Sequence, residues 1–185
     1  DSANHIIAEN GEVTGVKTDS GDISCRAAVI CTGGLSYPLT GSTGAGYKMA
    51  RELGHSIVPC RPSLVPLESD DEYCAQMQGF SLKNVTLSAY ENDKLIFREL
   101  GEMLFTHFGV SGPVVLLASV HMRNFRSAKD RLGIDLKPAL DEKKLDARLL
   151  RDFEKYANRD FANSLCDLAG KTMIPVLVEL SGIPA

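Results

Sequence analysis

Two stretches carry residue types that could do chemistry. The first runs from Ala28 to Gly46 and reads A-V-I-C-T-G-G-L-S-Y-P-L-T-G-S-T-G-A-G. Thr32, Gly33 and Gly34 follow an apolar run there. Glycine lacks Cβ, so main chain at such a point can turn sharply and lie against a flat or charged ligand. Gly41, Ser42, Thr43 and Gly44 then lead into a helix, whose free N–H groups can meet an anionic group. Glycine-rich strand-to-helix turns also occur for the turn alone, so ligand contact and plain turn-making both stand as readings. The run is not a Walker loop, because Lys48 follows Tyr47 rather than glycine. Nor is it the G-x-G-x-x-G fingerprint of a first βα turn. A dinucleotide bound here would take its main phosphate loop from another segment.

The second stretch, Gly101 to Ser119, reads G-E-M-L-F-T-H-F-G-V-S-G-P-V-V-L-L-A-S. It gathers Thr106, His107, Ser111 and Gly112 just before a helix. His107 is the candidate proton donor or substrate-orienting group, since an imidazole titrates near neutral pH. A structural hydrogen-bonding role is the competing reading. Ser111 reads as the helix N-cap. A Ser-His-Asp hydrolase finds no support, because no G-x-S-x-G elbow occurs. His55 follows a helix stop, and His5 and His121 have no partner pattern. Lys48, Arg51 and Glu52 read as a solvated helix face.

These residues need elements to hold them. His5–Ala8, Glu12–Lys17 and Asp22–Arg26 are expected as strands of a small antiparallel meander. Asn10-Gly11 and Ser20-Gly21 make its tight turns. Residues 27–31 form a continuous apolar run, as expected for a strand buried on both faces of a parallel sheet. A helix follows over about 43–53, capped by Ser42 or Thr43 and stopped at Gly54. Met49 lies on its buried face with Ala45 and Leu53. Pro59, Pro62 and Pro66 make the next segment extended, with a domain boundary between Pro66 and Asp71.

From there to about Leu136 the pattern is mainly β. Val85–Tyr90 and Lys94–Phe97 flank the hairpin signal Asn92-Asp93, and Glu102–Thr106 and Arg131–Leu136 are further strands. A helix starts at Pro113, with Val114, Leu117, Ala118 and His121 on one face. Arg123 and Arg126 stand at its C-terminal end, where the helix dipole favours cations. The tail reads as three helices, starting at Asp141, Asp160 and Thr172. Leu145, Leu149, Phe153 and Tyr156 form the stripe of the first.

The chain has 185 residues, 44% hydrophobic and 24% charged, with net charge −4. That is an average globular balance. It gives no reason to expect nucleic acid or an anionic membrane as partner. The apolar run Val114–Ala118 is far too short to span a bilayer. The five cysteines are scattered without a C-x-x-C, so neither a metal site nor a disulfide framework is expected. Reduced thiols in a cytoplasmic protein fit that usage. The absence of an initiator Met and the apolar end over 174–185 are expected of a segment of a longer protein.

Three motifs, in order, resemble the BaiN/YhiN family of bacterial flavoproteins. They are C-T-G-G-L-S-Y-P-L-T-G-S-T-G-A-G-Y-K-M-A-R-E-L-G-H (Cys31–His55), P-S-L-V-P-L (Pro62–Leu67) and G-E-M-L-F-T-H-F-G-V-S-G-P (Gly101–Pro113). The resemblance implies a mixed α+β chain. It would hold the end of a split Rossmann-like FAD-binding domain and an inserted β-barrel domain with a small helical bundle. Residues 1–67 would belong to the FAD domain, 68–138 to the barrel with its one helix, and 139–185 to the helical part. The resemblance also implies that Thr32, Gly33 and Gly34 pass beside FAD, with Gly41, Ser42, Thr43 and Gly44 in the following loop. Thr106, His107, Ser111 and Gly112 would be substrate-side residues. NAD(P)H would be the reductant, and a small unsaturated molecule, bile-acid-like for some members, the substrate. N- and C-terminal segments of the same protein, absent from this chain, would complete the flavin site. The competing class is a binding or interaction module that uses no flavin.

Overall fold

The computed structural model describes residues 1–122 and 129–183, so the expected helix-end cations Arg123 and Arg126 lie outside the described residues. Asn10 and Gly11 both take positive φ, 53° and 84°, as a two-residue hairpin turn demands. They join β1 (Ala3–Glu9) to β2 (Glu12–Thr18), and a second turn leads to β3 (Gly21–Ser24). The three strands form the expected antiparallel meander, in the order β1-β2-β3.

Residues 27–31 depart from expectation. They form no strand, and Val29 is 86% exposed. A parallel strand exists only through neighbours that accept its hydrogen bonds, and no described residues supply them. The helix that follows, α1 (Ala45–Glu52), starts two residues later than expected, with Gly44 as N-cap at φ 80° and no side-chain cap from Ser42 or Thr43. Met49 is buried, as its position on the apolar face requires.

The chain divides into two compact units, Asp1–Cys60 and Arg61–Ala185. The division falls before Pro66, because Leu67–Glu68 is already a strand, β4, paired with the second sheet. That sheet is antiparallel, with β4 followed in order by β7 (Gly109–Ser111), β6 (Lys94–Thr106), β5 (Ser81–Glu91) and β8 (Asp130–Asp135). Its spine is the hairpin of β5 and β6, turned by Asn92 and Asp93 at φ 50° and 64°. Beside it lie β7 and β8. β6 is one strand of 13 residues where two short ones were expected. A register shift between Leu82 and Val85, with Asn84 at φ 54°, marks a β-bulge. The extra residue corrects the alternation, so that Leu82, Val85, Leu87 and Ala89 all face inward.

Helix α2 (Tyr73–Gln76) is one short turn before the hairpin, and helix α3 (Pro113–His121) lies across this sheet, in contact with β6, β7 and β5. Its buried face is Val114, Val115, Ala118 and Ser119. Leu117, expected inside, is 48% exposed, and His121 is exposed as well. In a helix that is apolar all round, periodicity does not single out a buried stripe. The core also takes Met103 and Phe105 from β6 and Met173 and Val176 from the tail. The tail is thus part of the same compact unit as the sheet.

The tail comprises α4 (Glu142–Lys155), α5 (Phe161–Ser164) and α6 (Ile174–Ser181). Before the first turn of α4, the expected cap Asp141 accepts from the Lys144 N–H at 2.9 Å. Met173, rather than Thr172, precedes α6 as N-cap. Asp152 is buried inside α4 and receives the Arg148 Nε–H at 2.6 Å. Lys155 Nζ and the Tyr156 hydroxyl both donate to Asp167, at 2.6 and 2.8 Å. Those bonds hold the Asp167 carboxyl below the usual carboxylate range, the lysine first, and Asp167 in turn raises the Lys155 ammonium.

Two outcomes follow. Leu87→Ala should lower stability by about 3 kcal/mol, because it opens a cavity in a packed core; chemical denaturation measures it. A depressed carboxyl stabilises above its unfolded pKa of about 4, and that contribution fades as pH falls through the lower folded value. Acid should therefore loosen the α4 contact with Asp167, and Asp167→Asn should flatten the acid limb of a plot of melting temperature against pH.

Candidate functional site

In the first unit, the glycine loop closes on itself through main-chain bonds. The Gly44 N–H donates to Gly34 O at 3.1 Å, and the Thr40 and Ser42 N–H groups donate to Tyr37 O at 3.0 and 3.2 Å. Pro38–Thr40 forms one 3-10 turn inside it. Gly33 stands at φ 73°, and a Cβ there would lie 2.9 Å from Ser42 Oγ. Gly46, buried in the first turn of α1, leaves room for the strand that failed to form. A Cβ on it would stand 2.5 Å from Thr32 Oγ1 and 2.6 Å from Ile30 Cγ2.

The Gly44–Gly34 hydrogen bond and the approach of Ser42 to Gly33 thus bring Thr32–Gly34 and Gly41–Gly44 together. The Thr32 hydroxyl is buried without a partner. Leu35, Tyr37 and Leu39 stand exposed around the loop. Sequence reasoning missed two features here. One is the packing role of Gly46. The other is the Tyr47–Cys60 hydrogen bond, which raises the Tyr47 phenol.

In the second unit, Thr106 pairs with Gly109, so His107 and Phe108 form the two-residue turn between β6 and β7. Both side chains are exposed, and their rings meet edge to face at 5.0 Å. The turn is held from below. The Ser69 N–H donates to Phe108 O at 3.0 Å. A Cβ on Gly109 would collide with Leu67 O. Gly112 sits at φ 104°, where a Cβ would lie 2.8 Å from Met103 Cα. Thr106 Oγ1 is a second buried hydroxyl without a partner.

Ser111 is not the cap of α3. It ends β7, and Gly112 takes the N-cap place with no side-chain cap. The strand pairing of Ser111 with Leu104 outweighs the capping preference. Ser119, fully buried, was missed. Its hydroxyl donates to Leu116 O at 2.7 Å and accepts the Val65 N–H at 3.0 Å. This pins the proline-rich segment to α3. A lone serine in an apolar helix was the available signal.

Residues 61–185 match the family described as HI0933-like protein barrel and H2TH domain. The chain belongs to this family. Its curled sheet and the helices of 141–183 are the barrel and helical parts that the description names. The matched range also begins where the second compact unit begins.

The chain is 31% identical over 162 residues to the ribosomal RNA dihydrouridine synthase of Escherichia coli, covering 88% of this chain and 38% of that protein. It is 34% identical to the protein of that name from Haemophilus influenzae, over 66% of this chain and 29% of the relative. It is 25% identical to the 3-dehydro-bile acid delta(4,6)-reductase of Clostridium scindens, over 91% of this chain and 41% of the relative. The chain therefore spans about two fifths or less of each relative's length. No described helix is long and apolar enough to cross a membrane.

The hairpin separates frame from presentation. Gly112→Ala should cost about 2–3 kcal/mol through positive φ and backbone overlap. His107→Ala, at an exposed tip, should stay within about 0.5 kcal/mol of the parent. Paired thermal melts check both.

Proposed function

We propose that this chain is part of an FAD-dependent oxidoreductase that saturates a ring C=C bond conjugated to a carbonyl, with NAD(P)H as the source of electrons. One observation carries the reading: membership of the family goes with similarity to the three relatives given above, each named for that chemistry. A dihydrouridine synthase saturates the C5–C6 bond of a uracil ring. A delta(4,6)-reductase acts on double bonds of a steroid carrying a ketone. Each substrate is an acceptor for hydride at one carbon and a proton at the next. The two relatives above 30% identity favour uridine in RNA over a bile acid as the substrate.

The residues present fit a flavin nucleotide. Gly33, Gly34, Gly41 and Gly44 offer main chain without Cβ, and Gly33, Gly41 and Gly44 hold the positive φ that favours glycine, with Ser42 against Gly33 and Leu35 against Gly44. These residues would lie along the nucleotide and orient it. Bound FAD would supply the two-electron chemistry. Residues 27–31 would gain their missing strand partners from the rest of the parent protein, so Val29 and Ile30 would become buried. Thr106, His107, Ser111 and Gly112 form the substrate-side group, with His107 positioned at an exposed tip to orient a carbonyl or deliver a proton.

Purification of the full-length parent tests this. It should come off the column yellow, and NADH or NADPH should bleach the flavin band. The 185-residue chain alone should fail to retain FAD in equilibrium dialysis at micromolar concentration. Gly33→Val in the parent should lower flavin occupancy at least about tenfold, since its Cβ meets Ser42 at a φ that valine resists. A parent that stays colourless when offered FAD would instead favour a flavin-free binding module.

A further inference from the structure

The net charge of −4 hides an uneven surface. Leu140, Lys144, Ala147, Arg148 and Arg151 line a groove of about 290 Å³ beside α4, with three cations and no carboxylate among them. The spacing 144, 148, 151 places the cations on one side of the helix, with Lys155 continuing the row. Ala147 leaves the groove floor low. Asp146 falls on the opposite side of α4, at 100° per residue.

The carboxylates that pair with these cations lie to the side or beneath. Asp152 receives Arg148 at 2.6 Å and stands 3.7 Å from Arg151, yet its side chain is only 6% exposed. Asp141 holds Lys144 at 2.9 Å from the helix start. The Arg148 Nη2–H also donates to Asp167 O at 3.1 Å. The guanidinium is thereby fixed at two points before any ligand arrives. Lys144 and Arg151 remain 69% exposed. Asp152 is the buried acid of this set and Asp141, beside Lys144, is 58% exposed, but the groove lining itself presents three cations, an arrangement suited to oxyanions spaced along a chain.

We infer that the Lys144–Arg148–Arg151 groove binds backbone phosphates of an RNA substrate. This inference rests on the uridine reading above. It places a docking surface on the helical tail, apart from the residues assigned to flavin and ring. Phosphate contact positions the RNA and carries no base preference.

The test is fluorescence anisotropy of a labelled, uridine-containing single-stranded RNA with the full-length protein, at several salt concentrations. Lys144→Gln combined with Arg151→Gln should weaken binding about tenfold at low salt. The same pair should reduce the slope of log affinity against log salt by about 1–2. Lys94→Gln, at the far hairpin turn, should leave both unchanged, and thermal melts should show both proteins folded. Equal RNA affinity in the double variant and the parent would overturn the inference. So would a defect confined to NADPH binding, which would assign the groove to the dinucleotide. Flavin colour and its bleaching by NAD(P)H report on the functional reading independently: a yellow, reducible protein with an unchanged salt slope loses only the groove.

Discussion

Close approach of backbone to backbone governs the unit from Arg61 onward. At Gly101 an added Cβ would lie 2.9 Å from Val114 Cβ, and at Gly112 one would lie 2.8 Å from Met103 Cα. Helix α3 can sit down on β6 only because these positions carry no side chain. That seating brings Val114, Val115 and Ala118 to zero or near-zero exposure against Met103 and Phe105. It also sets where β7 ends and where the His107–Phe108 turn projects. Ser119 extends the arrangement to Val65. The exposed turn thus inherits its position from the most tightly packed part of the chain.

Local rules were legible wherever the signal was local. Asn10-Gly11 and Asn92-Asp93 announced their hairpins, because few other pairs accept positive φ twice. Asp141 announced α4, and Gly182, at φ 66°, announced the stop of α6. What escaped was decided by partners distant in sequence. The run 27–31 has the composition of a buried strand, but composition supplies no neighbouring strand. Ser111 has the chemistry of a cap, yet pairing with Leu104 claimed it for β7. Asp152 gave no signal of its own and is buried against Arg148. The division at Cys60 rather than near Pro66 has the same origin, since Leu67 pairs with Val110, a residue 43 positions away (110 − 67).

The candidate site was legible as residue types and only partly as geometry. Thr32–Gly34 and Gly41–Gly44 were both read as cofactor-side segments, and a Gly44–Gly34 hydrogen bond joins the two. Gly46, which permits helix and loop to touch, gave no motif signal of its own. The charge total describes the chain only as a whole. A sum over the whole chain cannot show that acids such as Asp152 are buried while their basic partners face solvent.

The contact between the chain's last helix and the sheet has a consequence for biosynthesis. Met173 and Val176 complete a core whose first members are Leu67 and Cys74, and Gly170 presses against the Phe80 ring. On a ribosome, the sheet emerges long before the residues that seal it. After the sheet's last strand ends at Asp135, the nascent unit must therefore hold an open apolar face until about forty further residues (173 − 135) have been added. A stop codon anywhere before α6 would leave that face permanently uncovered, and the product would be a substrate for chaperones and proteases rather than a smaller working domain.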